Sequence, residues 1–214
     1  MNMLKPLALL AFGVSLVHAS PGNQNRPAVP ATCPPVDEAA KDPGFFLFRA
    51  QLQAAVARRD AQAVLKVTSP DVRISLGPDD GFDSFKRKLS NPQDEIWREM
   101  ATALALGGSF DTPSAFTAPY TFRCGGGYEW LAVIGSDVRV RSEPAMDARV
   151  ISSVSFAVLK GRLATTKSGW ADVELPDSRK GYIDAEFVRS PLDYRAYFEK
   201  SDRFWLLKAF LAGD

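Results

Sequence analysis

Two cysteines, one histidine and a scatter of carboxylates are the side chains here that suit covalent or acid–base chemistry. The histidine, His18, falls in an N-terminal stretch that reads as a removable leader. Without it the chain holds no imidazole, which excludes Ser-His-Asp and Cys-His catalysis and histidine-ligated zinc. A glycosidase-type mechanism needs two positioned acids. The candidates Asp71, Asp83 and Glu95 are expected on turns or solvent-facing helix positions, and no pair stands out. Asp79, Asp80 and Asp83 surround Gly81, but the spacing departs from the EF-hand loop and its closing glutamate is missing, so a solvated acidic turn is expected. No residue set calls for a cofactor or a metal. Two aromatics remain, Trp170 and Tyr182, each on a short strand. They either offer ring faces to a peptide ligand or fill a small core.

The leader sets the compartment. Lys5 supplies a positive start, Leu7 to Val17 is an apolar run too short to span a bilayer, and Val17-His18-Ala19 fits the small-residue cleavage rule. Residues 1–19 are therefore expected to be a signal peptide cleaved after Ala19, giving a periplasmic or secreted protein. Pro30-Ala31-Thr32 before Cys33 is no lipobox, and no later apolar run is long enough for a span, so a soluble mature chain without stable membrane insertion is expected. Loss of Lys5 takes Lys plus Arg from 26 to 25, against 25 Asp plus Glu. A neutral chain argues against a dedicated binder of nucleic acid or anionic membrane. Five prolines between Ser20 and Pro35 make residues 20–36 an extended tether. Cys33 near its end and Cys124 downstream favour one disulfide in an exported protein, with two free thiols as the alternative.

Four helices precede the tail of the first half. Asp42-Pro43 is an N-cap and first-turn proline ahead of Phe45, Phe48, Leu52 and Val56 at helical spacing. Asp60 opens a second short helix, which Ser69-Pro70 stops. Val72, Ile74 and Leu76 then alternate as a strand. Phe82, Phe85 and Leu89 mark a third helix; Ile96, Trp97, Met100 and Leu104 mark a fourth, ended by Gly107-Gly108. Phe116 to Phe122 alternates as a strand, with Pro119 arguing for an edge. Residues 37–130 thus form an α+β domain. Phe45, Phe48, Trp97 and Phe116 are either its core or the lining of an apolar-ligand pocket.

From residue 131 to 189 the pattern changes to short strands with turns between them: Val138 to Arg141, Val150 to Val154, Val158 to Lys160, Trp170 to Leu175, Gly181 to Ile183, with Phe187 closing the set. The order V-R-V-R-S-x-P (138–144), V-I (150–151), G-W-x-x-V-x-L-P-D (169–177) and G-Y-I (181–183) resembles the bacterial SH3-like domain. That family usually carries Asp-Gly in the last turn, where this chain has Asp177-Ser178. The resemblance implies a small all-β barrel in an exported bacterial protein that binds cell-wall peptide or acts as a targeting module, with Trp170 and Tyr182 as the ligand-binding residues.

The tail is built rather than loose. Tyr194 to Lys200 alternates, Ser201-Asp202 turns, and Phe204 to Leu211 is apolar on both faces, with Trp205, Leu207, Ala209 and Leu211 on one side and Phe204, Leu206 and Phe210 on the other. A strand apolar on both faces is interior to a sheet. The hairpin at 190–214 is therefore expected to leave the barrel and join the strands at 72–76 and 116–122. The expected class is α+β: an N-terminal helix-rich domain completed by the C-terminal hairpin, with the barrel between them. Helix, helix, strand closed by such a hairpin is similar to the nuclear-transport-factor-two-like cone, and the whole arrangement, including the Phe-Leu-Ala-Gly-Asp ending, resembles a group of exported proteobacterial SH3-domain proteins. The function expected is non-enzymatic, with cell-wall peptide or an envelope protein as partner. The alternatives are a carboxylate-dependent wall hydrolase and a binder of a small apolar ligand. Nothing in the sequence fixes the oligomeric state.

Overall fold

A computed structural model describes residues 31–163 and 169–213. The expected signal peptide, most of the 20–36 tether and the Lys167-Ser168 turn lie outside the described residues. Among the described residues the class is α+β: four α-helices and two sheets of five and seven strands.

Helix α1, Pro43–Ala57, starts where expected because the Asp42 carboxylate accepts from the Phe45 N–H at 3.0 Å. Asp60 does the same for α2, Ala61–Lys66, accepting from Ala63. Helices α3, Phe82–Ser90, and α4, Ile96–Ala105, follow the apolar spacing. No helix among the described residues is long and apolar enough to cross a membrane.

The first strands depart from expectation. β1 runs Thr68–Arg73 rather than 72–76, and contains the Ser69-Pro70 pair expected to be a break. It is an edge strand, where a missing proline N–H costs no ladder bond. After β2, Ser109–Thr112, β3 covers Ala115–Ala118 and stops four residues short of Phe122. Pro119, joined to Ala118 by a cis peptide bond, has no N–H to continue the ladder, and Tyr120–Cys124 roll into a 3-10 helix.

The C-terminal hairpin, β11 (Arg195–Ser201) and β12 (Phe204–Leu211), lies between β1 and β3. β12 pairs with β1 in parallel, β11 pairs with β3 antiparallel, and the order is β1-β12-β11-β3-β2. The two faces of β12 are not those of a plain alternation. Tyr197 is opposite Ala209 and Phe198 opposite Leu207, so Lys208 is an extra residue. This bulge moves Phe210 onto the side of Trp205 and Leu207, where all three are buried. They meet α1 and α4 in one core, in which the Phe45 ring stands 4.2 Å from Phe116 and 4.7 Å from Trp205.

The second sheet is β4 (Trp130–Val133), β5 (Val138–Arg141), β6 (Val150–Val154), β7 (Val158–Leu163), β8 (Trp170–Glu174), β9 (Lys180–Asp184) and β10 (Val188–Arg189), in the order β10-β4-β7-β8-β9-β5-β6. The expected closed barrel is not what the pairing gives: among the described residues no ladder joins β6 to β10. Nor does Phe187 close the set. It sits in a 3-10 turn, 46 % exposed, and Val188 and Arg189 make the pairing to β4. Ser178 adopts φ 66° in the β8–β9 turn, taking the left-handed position that glycine usually fills. Leu131, Val140, Leu159, Ala171, Val173 and Ile183 build this sheet's own core.

A small third cluster joins the two parts. Cys33 and Cys124 form a disulfide, with Cα atoms 5.5 Å apart, beside Tyr120, Ala132 and Val158. The end of the expected tether is ordered there: the Cys33 N–H donates to Phe156 O at 2.7 Å and the Val158 N–H to Ala31 O at 3.0 Å. Arg189 of β10 reaches across to Glu99 of α4 at 3.6 Å.

Candidate functional site

Alternation along β8 and β9 places the two aromatics singled out by sequence. Ala171, Val173, Gly181 and Ile183 face the core and are buried, so Trp170, Asp172, Tyr182 and Asp184 point to the opposite, outer face. Trp170 lies opposite Asp184; Tyr182 lies opposite Asp172 on one side and Arg141 on the other. Neither aromatic belongs to the hydrophobic core of the sheet. They share a face but line different hollows.

Trp170 is 9 % exposed although it faces outward, because it forms a wall of a groove of about 300 Å³. The groove has apolar walls from Trp170, Phe187 and Met146; Met146, in the 142–149 loop, is 69 % exposed. Its polar lining comes from Arg139 and Arg141 of β5 and from Asp137 and Asp184. Arg141 is buried at 8 % exposure and donates from Nη1 to Ala148 O at 2.8 Å. Neither arginine is in an ion pair among the described residues, and no carboxylate pairs with them. Tyr182 lines a wider, strongly charged hollow of about 520 Å³ with Glu129, Lys160, Arg162 and Glu174.

The sequence pointed to Trp170 and missed the arginines. The signal was present: in Val138-Arg139-Val140-Arg141 the valines take the core and send both arginines to the face that Trp170 shares.

The candidate acids are scattered. Glu95 is exposed ahead of α4, Asp83 is exposed in the first turn of α3, and Asp71 is exposed on β1. Asp80 is more than a solvated turn residue. Its Oδ1 accepts from the N–H of Ile74 at 2.6 Å and of Ser75 at 3.1 Å, and Arg73 bonds its other oxygen. Desolvation pushes its pKa up, but these bonds together outweigh it and hold the carboxyl at about 2. Asp79 and Asp83 remain exposed.

One cluster escaped sequence reading because its members are far apart in the chain. Lys208 Nζ, on the β12 bulge, lies 2.7 and 2.8 Å from the Asp71 oxygens and 3.1 Å from Ser69 Oγ. Bonds from Lys208, then Ser69, bring Asp71 down to about 2. Serine beside lysine has the composition of a Ser–Lys dyad. An ammonium committed to Asp71 has no lone pair with which to take the serine proton, so the cluster clamps β1 to β12.

Phe45, Trp97 and Phe116 are buried in the first core, and Phe48 packs against it. Another apolar surface lies outside this core: Leu47 on α1 is 61 % exposed and Phe204 on β12 is 73 % exposed, flanking a hollow with Phe48, Lys66 and Arg203.

No protein-family model matches the chain, and no curated protein does.

Proposed function

We propose that the protein is a non-enzymatic, exported binding module of the cell envelope, and that residues 131–189 are its SH3-like unit, engaging cell-wall peptide or an envelope protein through the groove at Trp170. The observation that carries this reading is the position of Trp170: apart from the sheet's packed cluster, on the outer face of β8, its accessible edge lining one groove with exposed Phe187 and Met146. An indole there offers apolar contact area at low entropic cost to an extended peptide, while the arginines and aspartates along the same groove fix direction. The Cys33–Cys124 disulfide supports an oxidising compartment such as the periplasm or the exterior.

Co-sedimentation with purified peptidoglycan sacculi tests the proposal. Saturable pelleting is expected, weakened at least about tenfold by Trp170→Ala, a loss typical of a central aromatic anchor, with the variant folded by circular dichroism. Absence of pelleting at every salt concentration would sink wall binding.

A further inference from the structure

Four arginines are buried among the described residues; Arg49 and Arg189 face carboxylates, and Nε of Arg189 and of Arg195 is left without a partner. Arg49 makes a two-pronged bond to Asp37, at 2.7 Å on each arm. Arg189 faces Glu99 and Asp193 at 3.6 and 3.5 Å. Arg195 donates to Gly213 O and lies 4.9 Å over the Phe122 ring. Arg141 has the fewest partners of the four, and none of its nitrogens is both buried and unpartnered. Among the described residues it has one hydrogen bond, to Ala148 O, and neither a carboxylate nor an aromatic face. A guanidinium carries five N–H donors in a rigid fork that matches a carboxylate, and a buried cation without a counter-charge is costly. This one lines an open groove.

Resting on the binding reading above, we infer that the ligand of the groove is a short acidic peptide of the cell wall whose carboxylate is received by Arg141, with Arg139 assisting at the mouth. Arg139 is exposed on the same strand two residues away and is equally without an ion pair. The ligand's apolar part lies against Trp170, Phe187 and Met146. Asp137 and Asp184, also on the lining, accept from its N–H donors. Anion-accepting arginines beside N–H-accepting aspartates suit a short peptide, which brings a carboxylate and N–H donors close together, better than an uncharged sugar, which has nothing to neutralise Arg141. A volume of about 300 Å³ suits a few residues rather than a protein surface.

The test is calorimetric titration of the purified protein with stem peptides released from sacculi by amidase digestion, with the same peptides after their carboxyls are converted to amides, and with uncharged N-acetylglucosamine oligomers as the glycan probe. Free stem peptides are expected to bind, the amidated peptides at least about tenfold more weakly, and the glycan not at all. Arg141→Gln should erase the difference between free and amidated peptides, whereas Arg141→Lys should keep part of it. If Arg141→Gln unfolds, the exposed Arg139→Gln must still narrow the difference. Equal binding of both peptide forms would overturn the carboxylate assignment while leaving peptide binding intact. Tighter binding of the glycan would overturn it in favour of a sugar ligand, and no binding of any probe would overturn this inference and the wall-binding proposal together.

Discussion

Asp80 shows how much one exposed-looking acid does here. It accepts two backbone N–H groups and a guanidinium, and so holds the turn after β1 ahead of α3. Its pKa is about 2 folded, against the usual 3.8. A carboxyl that binds its proton less readily when folded stabilises fully above the unfolded value and loses that contribution as pH falls toward the folded one. Urea-unfolding midpoints should therefore fall between pH about 4 and about 2, a window in which Asp71 also contributes. Asp80→Asn should be less stable at neutral pH and should flatten that fall; an unchanged acid profile would count against the role. At this scale the sequence showed residue types and hid partners. Three aspartates around a glycine were legible, but not which one turned inward. Arg141 was legible on its strand, but its burial was not, because charged residues are normally exposed and its bond to Ala148 O depends on how the 142–149 loop folds back.

Elements were most legible where local chemistry decides them. Asp42 and Asp60 accept the first helical N–H groups of α1 and α2, and both starts follow from the sequence. Strand limits were less legible because neighbours set them. Pro70 is tolerated only since β1 is an edge, and the β12 bulge at Lys208 shows only in its register with β11, where Lys208 also bonds Asp71 of β1. α1 offers a direct check on which face matters. Phe45→Ala removes a ring packed among Phe116, Phe198 and Trp205 and should cost about 3–5 kcal/mol. Leu47→Ala, two residues on and 61 % exposed, should cost less than about 1 kcal/mol. Thermal unfolding of the two variants separates these outcomes, and comparable losses would mean that the outer face of α1 is covered.

At the scale of the molecule, the interleaving of the two ends was legible from one fact, a last strand apolar on both faces. The open edges of the seven-stranded sheet were not, because a run of short strands reads alike whether or not its first and last members pair. The disulfide ties the segment at 31–33 to the 3-10 turn after β3 and closes a loop over a separation of 91 residues. Such a loop contributes at most about 4–5 kcal/mol through the unfolded state. Cys124→Ser should lower the melting temperature under oxidising conditions and leave it unchanged with dithiothreitol present; equal melting of both proteins in both conditions would show that the bond adds nothing.

The parallel pairing of β1 with β12 has a consequence in time. The strands beside β1 and β3 are supplied by residues 195–211, more than 120 positions after Arg73. During synthesis the four helices and β1 to β3 leave the ribosome with their central strands still untranslated, so the larger core cannot assemble on the nascent chain. A polypeptide that postpones its tightest packing in this way completes its five-stranded half only once the hairpin at 195–211 is available.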